Sequence, residues 1–235
     1  MIPISDAPGV RRTFPIVNIL IILANIAVFI FVELTQPSER ALEQLIMAAG
    51  VIPTEIISGR DLPPLAPLGN VYLTLLTAMF LHGGFLHLAG NMLYLWVFGD
   101  NVEDTFGHLG YTLFYLVCGV LAGLAHIVAN AQSSVPSIGA SGAIAGVLGA
   151  YLIMFPHASI RTLLFLGPFI TMPRLSAVLL IGFWFVLQLF SGVASLGVRA
   201  EQTSGVAFWA HVGGFVAGVV LAAVFRPRRA AYSRT

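Results

Sequence analysis

The stretch Ser137-Ile138-Gly139-Ala140-Ser141-Gly142-Ala143-Ile144-Ala145-Gly146 sets a single serine between glycines at the start of a long apolar run. Backbone N–H groups in the first turn of a helix have no intrahelical partner, and they carry the positive end of the helix dipole. A serine placed there has hydrogen-bond donors around it. The small residues that follow let a helix approach its neighbours closely. The rest of the chain can be read by asking what it brings to Ser141.

The medium comes first. Of 235 residues, 58% are hydrophobic and 9% are charged, against about 25% charged in globular proteins. The mean hydropathy is +0.93. These values exclude a soluble domain and imply an all-α, polytopic membrane protein whose surroundings are the lipid bilayer. All 11 cationic side chains are arginines, and they form no basic patch interleaved with aromatics, which argues against nucleic acid as a partner. The single cysteine, Cys118, lies in an apolar run and reads as a small buried hydrophobe. Arg11 and Arg12 precede an apolar run with no small-residue cleavage site near its end, so that run reads as a retained span and not a signal peptide.

About 20 apolar residues cross a bilayer core. On that measure residues 1–14 are a polar tail and Pro15–Val32 is a first span, with Asn18 and Asn25 expected to tie it to neighbouring helices. Residues 33–70 form a long outer loop, within which Ser38–Ala49 has the pattern of a short amphipathic helix. Val71–Leu81 is too short to span. The second span runs from Phe85 to Phe98 and is closed by the acidic run Asp100–Asp104, with Glu103 expected to cap that end. Tyr111–Ala129 is the third span, Gly139 to just before Pro156 the fourth, Leu175–Phe190 the fifth and Val206–Phe225 the sixth. Counted from Ser141, the fourth has only about 15 residues, roughly 22 Å of helix. It either thins the bilayer or starts below its surface beside a wet cavity. The apolar stretch Leu163–Met172 is rejected as a seventh span, because that would place the arginine-rich tail 226–235 outside. With six spans in a membrane domain over 15–225, both termini are cytoplasmic. Arg11, Arg12, Arg161, Arg174, Arg226, Arg228, Arg229 and Arg234 then lie inside, against Arg40, Arg60 and Arg199 outside, as the positive-inside rule expects.

This topology puts His87 and Asn91, Ser141, and His211 at one depth on three different helices. Ionisable residues within spans are functional candidates by default. A serine hydroxyl needs a base to take its proton, and histidine is the usual one. His211 is the candidate by depth. No aspartate or glutamate falls inside a span, so a hydrolase built here uses a Ser–His dyad with no acidic third member. The oxyanion of an acyl-transfer intermediate needs preorganised donors. The Asn91 amide, the His87 ring and the Ser141 backbone N–H can supply them. Gly142 and Gly146 in the fourth span, with Gly214 and Gly218 in the sixth, form small faces that would dock these helices.

Gly139-Ala140-Ser141-Gly142 resembles the G-x-S-G motif of the rhomboid family of intramembrane serine proteases. Ala210-His211-Val212-Gly213-Gly214, with Gly218 beyond it, is similar to that family's A-H-x-x-G-x-x-x-G. His87-Leu88-Ala89-Gly90-Asn91 resembles its H-x-x-x-N. The resemblance runs over roughly residues 14–226 and implies a six-span bundle with Ser141 as nucleophile, His211 as general base, and Asn91 and His87 as oxyanion donors. It also implies single-pass transmembrane proteins as substrates, with no metal or cofactor. Two positions depart from the family. Leu73-Thr74 stands where many members have a Trp-Arg pair, and Ala145 stands where some place an aromatic ring against the catalytic histidine.

Two other functions compete. A non-catalytic relative that binds membrane clients would be expected to lack the serine or the histidine, and both are present. A transporter would show an internal repeat or charged residues along a pathway, and neither is evident. His82 reads as a loop histidine beside the cavity, and His108, His126 and His157 as structural. Trp184 and Phe185 read as packing or lipid-facing aromatics, or as a gate. A bacterial plasma membrane fits the short tails.

Overall fold

The computed structural model describes residues 1–6, 13–60, 70–196 and 206–225. Arg11, Arg12, the turn-rich stretch 61–67, Arg199, Glu201 and the arginines from Arg226 onward lie outside the described residues. In chain order the elements are β1 (Ile2–Asp6), α1 (Ile16–Val28, prolonged by a wide turn over Phe29–Glu33), α2 (Glu39–Ala49) and α3 (Pro53–Ser58). Next come α4 (Thr74–Thr77, between tight turns Val71–Leu73 and Ala78–Phe80), α5 (Phe85–Tyr94), a wide turn Leu95–Gly99, α6 (Asp100–Phe106), α7 (His108–Ala129) and α8 (Ser141–Met154). The strands β2 (Ser159–Leu166), β3 (Phe169–Thr171) and β4 (Arg174–Ser176) follow, then α9 (Ala177–Ser195) and α10 (Phe208–Phe225). Among the described residues four helices are long and apolar enough to cross a membrane: Ile16–Glu33, His108–Ala129, Ala177–Ser195 and Phe208–Phe225. A fifth exists if Val71–Phe80 and Phe85–Phe106, bent by 81° at their junction, are taken as one span.

An apolar helix too short to count as a span by length, α8, is the one most enclosed by protein. Every residue of α8 from Gly142 to Tyr151 is buried. A helix that is apolar all round and enclosed by protein need not match the bilayer's thickness by itself. Its most extensive contact is with α10, then α7. The reason is written in glycines. A Cβ added to Gly214 would overlap the Gly142 carbonyl oxygen, and one on Gly218 would overlap that of Gly146. On α7, Cys118 and Ala122 lie so close that a Cβ on Gly146 would sit 2.6 Å from Cys118 Sγ, and one on Gly142 would sit 2.7 Å from Ala122 Cβ. The expected docking of the two glycine faces is therefore present, backbone against backbone. Cys118 is a buried thiol packed into that seam.

Several expectations are corrected. The fold is mostly helical but not all-α: a four-stranded sheet, in which β2 pairs with β1, β3 and β4, all antiparallel, sits at one end of the bundle. In β2, Ile160 and Thr162 are buried while Arg161 is exposed, the period of two that a half-buried strand requires. The stretch Leu163–Met172, too short to span, is a β-hairpin turning at Gly167, whose φ is 61°. The start of the polar tail is β1, held to the helices by Asp6 Oδ2, which accepts from the Tyr151 hydroxyl at 2.9 Å and from Asn101 Nδ2 at 2.6 Å.

The acidic run Asp100–Asp104 does not close the second span but continues it as α6, ending at Gly107 with φ 74°. Glu103 caps a different helix: its fully buried carboxylate accepts the N–H groups of Val17 and Asn18 at 2.9 and 2.7 Å, in the first turn of α1. A carboxylate at a helix N-terminus meets both orphan donors and the positive end of the dipole. Nor are the apolar segments free of acids. The span Ile16–Glu33 ends in a buried Glu33 that accepts the His82 backbone N–H at 3.1 Å with each oxygen. Asn18 ties helices together as expected, donating to Leu95 O and accepting from Tyr111 Oη, both at 2.9 Å. Asn25 instead donates within its own helix, to Ile21 O at 2.8 Å.

Because the α8–α10 seam leaves no room for a side-chain carbon, Gly218→Ala should lower the unfolding free energy in detergent micelles by about 1–3 kcal/mol, the cost of overpacking. The check is the unfolding midpoint of the variant beside wild type, and an unchanged midpoint would mean that the seam yields.

Candidate active site

Ser141 is positioned from its N-terminal side by a two-way backbone bridge. Ser137 N–H donates to Val51 O and Val51 N–H donates to Ser137 O, each at 2.9 Å, so the connection into α8 is pinned to the first loop. Gly139 N–H then donates to Ala78 O at 2.8 Å. Gly139 has φ 122°, a conformation L side chains rarely adopt, and a Cβ there would sit 2.9 Å from both Cε1 and Nε2 of His87 and 3.7 Å from Ser141 Oγ. The glycine before the serine is thus required twice: by the backbone turn and by the ring packed against it. Helix α8 begins at Ser141 itself, so the Ser141 N–H belongs to the unpartnered first turn.

From α10, His211 Nε2 lies 2.7 Å from Ser141 Oγ. That is hydrogen-bond distance, within the reach a base needs for a hydroxyl proton. The Trp184 ring of α9 faces the imidazole, centroids 5.8 Å apart at 39°, and also meets Phe215. One turn further along α9, Gln188 Oε1 lies 2.7 Å from His211 Nδ1. Sequence reasoning missed Gln188. The available signal was a lone amide in the apolar run Ala177–Phe190, four residues after Trp184 and hence on the same face.

From α5, the two residues four apart both reach the same place. Asn91 Nδ2 is buried and has no hydrogen-bond partner. A buried amide donor left unmet is costly and calls for an explanation. His87 Nδ1 accepts the Gly83 N–H at 3.3 Å, so the proton of the neutral ring is on Nε2, the nitrogen beside Gly139. His87, Asn91, Ser141 and His211 all line one open cleft of about 470 Å³, together with Trp184, Ala145 and Leu148. A hydroxyl beside an imidazole nitrogen, with idle N–H donors close by, is a set of groups suited to acyl transfer.

The other histidines separate from this group. His82 lies behind His87, ring centroids 5.1 Å apart, buried and with neither ring nitrogen hydrogen-bonded. His108 pairs with the Glu103 carboxylate, a structural role. His126 lies 3.4 Å from Asn130 Nδ2, and His157 is exposed. Phe185 stacks on Phe215 at 4.2 Å, a packing role.

The sequence model of the rhomboid domain matches residues 69–228. The chain belongs to the rhomboid family. Its relatives include the rhomboid protease GluP of Bacillus subtilis, 47% identical over 78 residues, which is 33% of this chain and 15% of that protein. Rhomboid protein 1, mitochondrial, of Saccharomyces cerevisiae is 36% identical over 100 residues, 41% of this chain and 28% of that protein. Rhomboid-like protein 11, chloroplastic, of Arabidopsis thaliana is 30% identical over 148 residues, 62% of this chain and 49% of that protein. The match thus spans less than half the length of each of these curated relatives. A rhomboid domain with several apolar helices makes this an integral, multi-pass membrane protein.

In this rhomboid domain Gly139 is constrained both by its backbone turn and by the ring beside it. Gly139→Ala is expected to push the His87 ring from its place and to strain the turn into α8 by about 1–2 kcal/mol. A lowered unfolding midpoint together with lost labelling of Ser141 by a fluorophosphonate probe would bear this out. Wild-type labelling would refute it.

Proposed function

We propose that the chain is an intramembrane serine endopeptidase, hydrolysing peptide bonds of single-pass transmembrane proteins in or near the membrane. Ser141 is the nucleophile and His211 the general base. The observation that carries the reading is the 2.7 Å contact between Ser141 Oγ and His211 Nε2 inside a cleft that also holds an unpartnered Asn91 amide. In the reaction His211 Nε2 takes the hydroxyl proton as Oγ attacks the scissile carbonyl. The oxyanion is met by Asn91 Nδ2–H, His87 Nε2–H and the Ser141 backbone N–H, a reading supported by the unpartnered Asn91 amide in the shared cleft. The protonated His211 gives its proton to the leaving amine, and water then releases the acyl group by the same steps in reverse.

The topology belongs to this reading. Six spans follow if α8 crosses beside α1, the α5–α6 segment, α7, α9 and α10. The domain boundaries are those of 15–225, and both termini lie on the cytoplasmic side of a bacterial plasma membrane. α8 can be short because its neighbours, not lipid, surround it. Ser141 then sits at a depth where irregular backbone is tolerated beside a wet cleft. No metal or cofactor has a part in these steps.

The test is cleavage of a single-pass reporter by the purified protein in liposomes. Ser141→Ala and His211→Ala should be silent. Asn91→Ala should lose about 2.7–4 kcal/mol of transition-state stabilisation, as removal of one oxyanion donor does, with KM little changed. Cleavage by Ser141→Ala would sink the assignment. A wild type that binds reporters but cuts none would favour the client-binding alternative.

A further inference from the structure

A histidine serves as base only in the right tautomer. Neutral imidazole has one N–H and one lone pair, and the partner of one nitrogen decides what the other can do. In the described active site the residue that faces His211 Nδ1 is not an acid. Of the buried carboxylates, Glu33 and Glu103 accept backbone N–H groups elsewhere, and Glu55 belongs to α3 in the first loop. The Nδ1 partner is the amide oxygen of Gln188, at 2.7 Å. An amide oxygen can only accept, so it requires Nδ1–H. The lone pair is then on Nε2, which is the nitrogen 2.7 Å from Ser141 Oγ.

We infer that Gln188 is a positioning residue for His211, whose amide oxygen holds the imidazole with its proton on Nδ1 and so leaves Nε2 free to take the Ser141 proton. This rests on the reading of Ser141 and His211 as nucleophile and base. During attack the proton leaves Oγ for Nε2, while Nδ1–H stays on the ring and keeps donating to Oε1. The neutral amide does here, by its dipole, what an acidic third member does in other hydrolases. Trp184 completes the support. It stands four residues before Gln188 on the same face of α9 and lies against the imidazole, 5.8 Å between centroids. One helix face therefore fixes both the edge and the plane of the ring.

Three proteins in liposomes test it: wild type, Gln188→Met, which keeps the length of the side chain but has no amide oxygen, and Gln188→Glu, which keeps an acceptor. The Met variant should lose roughly ten- to a hundredfold in kcat, a part of the roughly 10²–10⁴-fold that general-base catalysis supplies as a whole, with KM unchanged. The Glu variant should recover most of that loss. In ¹⁵N spectra of histidine-labelled protein, with His211→Ala used to assign the signal, wild type should show Nδ1 protonated and the Met variant should show that preference lost. If the Met variant cleaves like wild type, or if Glu is as poor as Met, Gln188 only fills space and the inference is overturned while the dyad stands. If Ser141→Ala or His211→Ala also cleaves, the underlying reading has failed instead. Fluorophosphonate labelling of Ser141 should slow in the Met variant in the same proportion; unaltered labelling would likewise overturn the inference.

Discussion

The structure depends on two helix backbones being allowed to touch. Gly142 and Gly146 of α8 meet Gly214 and Gly218 of α10 with carbonyl oxygens where side chains would otherwise be. In lipid there is little hydrophobic gain from pairing one apolar helix with another, so close packing has to supply the attraction. The contact also sets the chemistry. Ser141 is the first residue of α8 and His211 lies in the first turn of α10. A hydrogen bond of 2.7 Å between them leaves no slack for a seam even one methyl group wider.

Three buried polar groups elsewhere act alike: in an apolar bundle a carboxylate or amide is cheapest to bury where it meets backbone groups. Glu103 takes the first N–H groups of α1, Glu33 takes the N–H of His82 where the chain turns into α5, and Asn18 donates to Leu95 O at the wide turn after α5. These are joints, and they hold the first two helical segments at fixed ends. Asn91 differs from these joints: its buried amide donor has nothing to donate to, and the residue lines the cleft.

What could be read from the sequence is what depends on local spacing. Four residues between His87 and Asn91 put both on one helix face, and four between paired glycines made a docking surface; both consequences hold in the fold. What could not be read depends on partners far apart in the chain. Nothing near Glu103 announces that its carboxylate will cap a helix 85 residues earlier. The strand pairing of Ile2–Asp6 with Ser159–Leu166 joins segments that each look unremarkable alone, one as a polar tail and one as a short apolar run. Gln188 was hidden for a related reason. The third member of such a site is ordinarily a charge, and the position facing His211 Nδ1 is filled by an amide.

That substitution has a physical logic within a membrane. A carboxylate facing Nδ1 would have to be charged to work as it does in water-exposed triads, and a buried charge is costly unless fully paired. An amide oxygen accepts the same hydrogen bond at much lower desolvation cost, and gives up in exchange some stabilisation of the imidazolium. Part of that stabilisation can come from the Trp184 ring, whose face attracts a cation. The two neutral groups on α9 together can do for the proposed base what one buried charge would do. They need α9 to stay in register with α10, and the packing of Trp184 and Phe185 on Phe215 of α10 ties the two helices together.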